Sequence, residues 1–185
     1  NTTYNMDIKI NSYNYTHTSA QWAMGLPFQI ESFGHFFACD EYFTEREKLS
    51  SYLLIYTKSG RGSIFYEGNE LTATKNTVVL INCMKYQYYK TNSHDCWEFM
   101  WLHIGGTAIG YYCNLINEDQ ANVIDVGENA EVDNIFDKIF LLTTTGSDNA
   151  DIKFSNYVTA LLTEIILCKK RNTREFKYLS HKNEI

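Results

Sequence analysis
The sequence predicts a mainly β protein, a sandwich or barrel, followed by helices. Two observations carry this. Between Tyr52 and Gly106, six short apolar runs alternate with turn residues, the spacing of strands in an all-β sandwich or barrel. Beyond residue 107, apolar residues recur instead at i, i+3, i+4 and i+7, the period of an amphipathic helix.

Residues 1–26 are polar, rich in Asn, Thr and Tyr, with no clear period. After Pro27, the single proline, Phe28 to Phe33 reads as a strand. Gly34-His35 reads as a turn, and Phe36 to Phe43 as a second strand. His35, beside that turn, is read as structural before it is read as a ligand contact. Arg46 follows in the charged run Thr44 to Lys48.

The run Tyr52 to Tyr56 is β-rich, and Gly60-Arg61-Gly62 breaks it. Ser63 to Tyr66 resumes, and Gly68-Asn69 suits a tight hairpin because both residues tolerate positive φ. Glu70 to Thr74 follows, Lys75-Asn76 turns, and Thr77 to Ile81 is a continuous apolar strand. In the run Lys85 to Lys90, alternation puts Tyr86 and Tyr88 on one face and Tyr89 on the other. In the last run, Trp97, Phe99, Trp101 and His103 share one face, and Glu98, Met100 and Leu102 share the other. Such an aromatic row either fills a barrel core or lines a cavity within it.

The helical part begins with the stripe Ile109, Tyr112, Cys113 and Ile116. Asn117 to Asp125 reads as a loop with a short extended piece at Val123-Ile124. A helix through Val132, Ile135, Phe136, Ile139 and Phe140 comes next, with Glu128 and Glu131 near its start. Thr143 to Thr145 weaken that helix, and Gly146 is its natural stop. The last and strongest stripe is Phe154, Tyr157, Val158, Leu161, Leu162, Ile165 and Ile166. Asp148 and Asn149 are its candidate caps, and the cations Lys169 to Arg171 suit its C-terminus. Residues 172–185 are polar and charged.

Composition bounds the function. The 185 residues are 44% hydrophobic and 21% charged, which is ordinary for a globular chain. A net charge of −6 argues against gripping DNA unaided, since phosphate neutralisation needs a basic face. Five cysteines without CxxC spacing fit reduced thiols in a cytoplasmic protein better than a disulfide framework. No membrane-spanning run or signal peptide is read. The five histidines form no His-x-His or HExxH set, and no GxSxG, P-loop or GxGxxG is present. No catalytic residue, metal ligand or cofactor site is therefore expected.

The strings Tyr52-Leu-Leu-Ile-Tyr-Thr-Lys-Ser-Gly-Arg-Gly62, Gly68, Leu80-Ile81 and Trp97-Glu-Phe-Met-Trp-Leu-His-Ile-Gly105, with Pro27-Phe28, Ser32-Phe-Gly-His35 and Arg46 upstream, resemble the N-terminal sensor domain of AraC-type transcriptional regulators. The resemblance covers Pro27 to Gly106 well, and the remainder by helix pattern only. It implies an N-terminal arm over 1–26, a cupin-like, jelly-roll-type β-barrel over 27–106, a helical dimerisation region over 107–171, and a linker over 172–185. That linker would lead toward a helix-turn-helix DNA-binding domain absent from this sequence. Two departures stand out. Lys75-Asn76-Thr77 replaces the family's usual Pro-Gly-Asp turn, and Gln87 stands near the place of the family's histidine, which weakens a metal-cupin reading.

What the resemblance implies for function is a small-molecule effector, a sugar first, bound inside the barrel of a homodimer. Arg46, Tyr89, Phe99, Trp101 and His103 are the implied ligand-binding residues. A guanidinium can bond two neighbouring hydroxyls, and a phenol or indole can stack on an apolar sugar face. Two other classes stay open: a metal-dependent cupin enzyme, and a stand-alone carbohydrate-binding module.

Overall fold
The computed structural model describes residues 1–118, 123–145 and 149–182. Two antiparallel sheets face one another, and helices cover the outer side of the larger. The strands are β1 (Thr2–Asn5), β2 (Tyr13–Thr16), β3 (Gln29–Ala38), β4 (Phe43–Arg46), β5 (Tyr52–Ser59), β6 (Arg61–Tyr66), β7 (Asn69–Thr74), β8 (Thr77–Asn82), β9 (Gln87–Thr91), β10 (Trp97–Gly105) and β11 (Ile124–Asp125). The helices are α1 (Ile109–Asn117), α2 (Ala130–Thr145) and α3 (Ala150–Lys182). The smaller sheet runs β1-β4-β9-β6-β7, and the larger runs β11-β8-β5-β10-β3-β2. This is the cupin-like, jelly-roll arrangement expected, with C-terminal helices.

The two sheets differ in hydropathy for a physical reason. The larger is buried on both faces, so its strands read as continuous apolar runs. Leu53, Ile55, Val79 and Ile81 point between the sheets. Their neighbours Leu54, Tyr56, Val78 and Leu80 point the other way, into the layer shared with the helices. The smaller sheet turns one face to solvent, and its strands alternate. On β9, Gln87, Tyr89 and Thr91 are buried, while Tyr88 and Lys90 between them are half-exposed.

The helical stripes meet that outer face. Ile109, Cys113 and Ile116 of α1, Val132, Ile135, Phe136 and Ile139 of α2, and Phe154, Val158, Leu161, Leu162 and Ile165 of α3 are all buried in one cluster with Met100, Leu102 and Ile104 of β10. Phe136 stacks on Tyr56 with ring centroids 5.3 Å apart. Phe140, placed in the stripe by its spacing, is 41% exposed and meets Tyr13 and Phe33 in T-shaped ring contacts. The α2 cap is Asn129, whose Oδ1 accepts from the N–H groups of Glu131 and Val132 (3.1 and 3.2 Å). The expected stop at Gly146 and cap at Asp148 lie outside the described residues.

Several boundaries differ from the sequence reading. Gly34-His35 is no turn but the middle of β3, and the break falls between Ala38 and Phe43. Gly34 is needed there for space, because a Cβ would lie 2.2 Å from the Trp101 indole opposite it. His35 pairs with Glu98 (2.9 Å) away from the barrel interior. The β6–β7 hairpin turns on Glu67 and Gly68, both at positive φ, one residue earlier than read, and Asn69 opens β7. Asn76 takes the left-handed conformation its type permits (φ 64°). The extended piece is Ile124–Asp125 rather than Val123-Ile124. Helix α3 does not end at Lys169–Arg171 but continues to Lys182, since no Gly or Pro follows to stop it.

Residues 1–26 pack on both sheets. Strand β1 pairs with β4, and β2 with β3, so the segment closes one edge of each sheet. Its far end is tied to α3. His17 Nε2 lies 2.6 Å from Asp151 Oδ1, and Ala20 N–H donates to Asp151 Oδ2 (3.0 Å). Burial tends to raise the Asp151 carboxyl, but these two partners outweigh it and hold the pKa low.

Candidate ligand-binding site
A cavity of about 150 Å³ opens between the two sheets. Its apolar wall is Phe36, Leu53, Ile55, Phe99 and Trp101, and its polar side is Thr44, Arg46, Tyr89 and His103, with Tyr42 and Asn14 beside them. Met6 of the N-terminal segment also lines it. Strand alternation explains the convergence. Phe99, Trp101 and His103 sit on alternate positions of β10 and face inward from the larger sheet. Thr44 and Arg46 of β4, and Tyr89 of β9, face inward from the smaller one.

The five residues singled out in the sequence, Arg46, Tyr89, Phe99, Trp101 and His103, therefore line one cavity. Trp97, on the same face of β10, does not reach it. Its ring is fully buried beside Phe99 (centroids 4.1 Å), and its Nε1 donates to Thr57 Oγ1. Gln87 is also fully buried but does not line the cavity, and its Nε2 donates to the Arg46 carbonyl (3.1 Å). Sequence reasoning missed Tyr42, Thr44 and Phe36. They stand on separate segments, and nothing in their spacing marks them as neighbours.

A polar chain runs from Arg46 at the cavity through His103 and Ser51 to Glu31. Arg46 Nη1 donates to His103 Nε2 (3.0 Å). Burial first, and the Arg46 charge second, push the His103 pKa down to about 4. The ring is thus neutral near pH 7 and carries its proton on Nδ1. That N–H donates to Ser51 Oγ (3.1 Å), whose hydroxyl donates to Glu31 Oε2 (2.5 Å). Ser51 and Glu31 were not legible as partners of His103, since they lie 52 and 72 residues away (103 − 51 and 103 − 31).

The phenols stay protonated. Burial pushes the pKa of Tyr42 and of Tyr89 up, with Arg46 opposing it in both cases. The cavity therefore offers a guanidinium, two phenolic hydroxyls and a threonine hydroxyl beside an aromatic wall. It is poorly suited to a metal. The Nε2 lone pair of His103 already accepts from a cation, and no group of three His, Cys, Asp or Glu with metal-holding geometry occurs among the described residues.

No curated protein sequence matches the chain. Among solved structures, the AraC-like transcriptional activator CuxR is 8% identical, with a TM-score of 0.49, over 85% of this chain and 60% of its own. The cupin domain of an XRE-family transcriptional regulator from Enterobacter cloacae is 13% identical, with a TM-score of 0.40, over 50% of this chain and 94% of its own. A predicted oxalate decarboxylase from Thermotoga maritima is 12% identical, with a TM-score of 0.39, over 41% of this chain and 67% of its own. The family model of the AraC-like ligand binding domain matches residues 32–165, a span that holds most of β3, all of β4 to β11, and most of the helical layer. On that match the chain belongs to the AraC-like ligand-binding domain family.

Proposed function
We propose that the cavity binds a sugar of about monosaccharide size and that the chain is the sensor domain of an AraC-type transcription regulator. The observation that carries this is the convergence of Arg46, Tyr89 and Thr44 opposite Phe99 and Trp101 on one cavity. Hydroxyls of a sugar need several fixed donors, and its apolar face needs an aromatic surface. The volume lies below the roughly 300 Å³ at which drug-sized pockets begin, which favours a small ligand. The reading is of binding rather than catalysis, because the polar groups that line the cavity include no paired acid and base.

In this proposal the protein works in the cytoplasm as a homodimer. DNA would be contacted by a helix-turn-helix domain outside these residues, with 172–185 leading toward it. The apolar stripe of α3 is occupied by the larger sheet. A dimer contact would use other surface, such as the exposed Ile152 and Leu167 of α3. Ligand binding can change regulation only through differential affinity for two states.

A thermal-shift series against mono- and disaccharides tests the reading, with Trp101→Ala as control. A native-state ligand raises the melting temperature increasingly as its concentration exceeds Kd. A monosaccharide that stabilises the wild type and not the variant supports the proposal. No shift across the series, or an equal shift in both proteins, overturns the sugar assignment.

A further inference from the structure
Of the five cysteines, Cys83, Cys113 and Cys168 are buried, whereas Cys39 and Cys96 are partly exposed and touch each other. Their sulfur atoms are 3.3 Å apart. The contact follows from the register. Ala38 of β3 is the cross-strand partner of Trp97 of β10, so one step beyond the ladder Cys39 stands opposite Cys96. Directly opposed residues of an antiparallel pair have Cα atoms about 4.5–5.5 Å apart, inside the roughly 4.4–6.8 Å range that a disulfide spans. Cys39 N–H is bonded elsewhere, to the Asp7 carbonyl (2.7 Å). No third metal-ligating group joins the two thiols among the described residues.

We propose that Cys39 and Cys96 form a redox modification site, oxidised by a hydroperoxide to a reversible disulfide that staples β3 to β10. One sulfur, as thiolate, attacks the peroxide oxygen. The O–O bond breaks, the leaving alkoxide or hydroxide takes a proton, and a sulfenic acid remains. The second thiol attacks that sulfur and expels water. Two thiols and one hydroperoxide thus give one disulfide, one alcohol or water, and one further water. A dithiol reductant reverses the step by exchange through a mixed disulfide. In the reducing compartment proposed above, a disulfide between paired, accessible thiols is a reversible modification rather than part of a structural framework.

The site lies where the N-terminal segment is anchored. Asp7 accepts from Cys39 N–H through its carbonyl and from Glu41 N–H through its carboxylate, and its neighbour Met6 lines the cavity. The inference is independent of which ligand the cavity takes.

The test treats the folded, fully reduced chain with hydrogen peroxide, blocks the remaining thiols, and maps the products by mass spectrometry. The expected result is a loss of about 2 Da, a fall in titratable thiols under denaturing conditions from five to three, and a Cys39–Cys96 cross-linked peptide that dithiothreitol removes. The oxidised protein should melt at a higher temperature, because a closed loop restricts the unfolded chain. Cys39→Ser and Cys96→Ser should each abolish the 2 Da loss, and Cys83→Ala should keep it. A gain of oxygen on single cysteines without cross-linking overturns the proposal, as does a cross-link between any other pair. The wild-type map decides the matter even where a variant folds poorly.

Discussion

Arg46 of β4 and His103 of β10 meet at 3.0 Å across the barrel, joining one sheet to the other through a single hydrogen bond at the polar side of the cavity. The contact fixes the His103 tautomer. Burial first, and this contact second, keep the ring uncharged, since a proton on Nε2 would remove the acceptor and place two cations side by side.

Stability should therefore fall in mild acid. The folded His103 pKa is about 4 against an ordinary value of 6.5. Between those values the unfolded chain takes up a proton that the folded chain refuses. The contribution is whole above about pH 6.5 and shrinks as pH falls toward 4, by up to about 3 kcal/mol for a shift of this size. Urea denaturation from pH 7 to pH 4 measures it. His103→Gln should flatten the profile over this window, and equal slopes in the two proteins would contradict the assignment.

Arg46→Gln should separate binding from folding. Arg46 is half-buried and its loss removes the cross-sheet bond to His103, worth about 1 kcal/mol, so the melting temperature should fall by only about 2–4 °C. If the cavity binds a sugar, charge-assisted bonds worth about 1.5–3 kcal/mol go with it, a loss of roughly ten- to a hundred-fold in affinity. Isothermal titration with the sugar that stabilises the wild type reads this directly. Unchanged affinity would remove Arg46 from the site.

Gly34→Ala should damage the cavity wall from behind. The added methyl would lie 2.2 Å from the Trp101 indole, so the ring must move or the strands must part. Overpacking of this kind costs about 1–3 kcal/mol. Chemical denaturation should register the loss, and a shift in tryptophan emission should report the displaced ring. A variant as stable as wild type with unchanged emission would contradict the close approach.

Asp151→Ala should release the N-terminal segment from α3. The carboxylate accepts from Ala20 N–H and pairs with His17. Its removal leaves those partners unsatisfied, at a cost of about 1–3 kcal/mol. Hydrogen exchange should accelerate over residues 17–25 while the β5–β10 ladder stays protected. If exchange over that stretch is unaltered, the anchor lies elsewhere.

The strands from β5 to β10 were legible because local chemistry marks them: alternation, β-branched runs, and turn residues such as Gly68 and Asn76. The three helices were legible because each buries one face, and that face imposes its period. Thr77 to Ile81 reads in sequence only as a continuous apolar run, and the structure supplies the reason, a strand buried on both faces. Gly34 misled, because a glycine kept for room against an indole looks, in sequence, like a glycine kept for a turn. The end of α3 misled because cations at Lys169–Arg171 favour a helix terminus without forcing one.

The sequence by itself determined which residues face the barrel interior on β10, and, through family likeness, that Arg46 and Tyr89 belong with them. Only the tertiary structure decided what those residues do for one another. The Arg46–His103–Ser51–Glu31 chain and the Cys39–Cys96 contact both join residues far apart in the sequence. Their pairing depends on the stacking of two sheets and on the register between β3 and β10. Local propensity fixes a strand and its inward face, but register and sheet packing arise from the sum of many long-range contacts, which no short stretch of sequence contains.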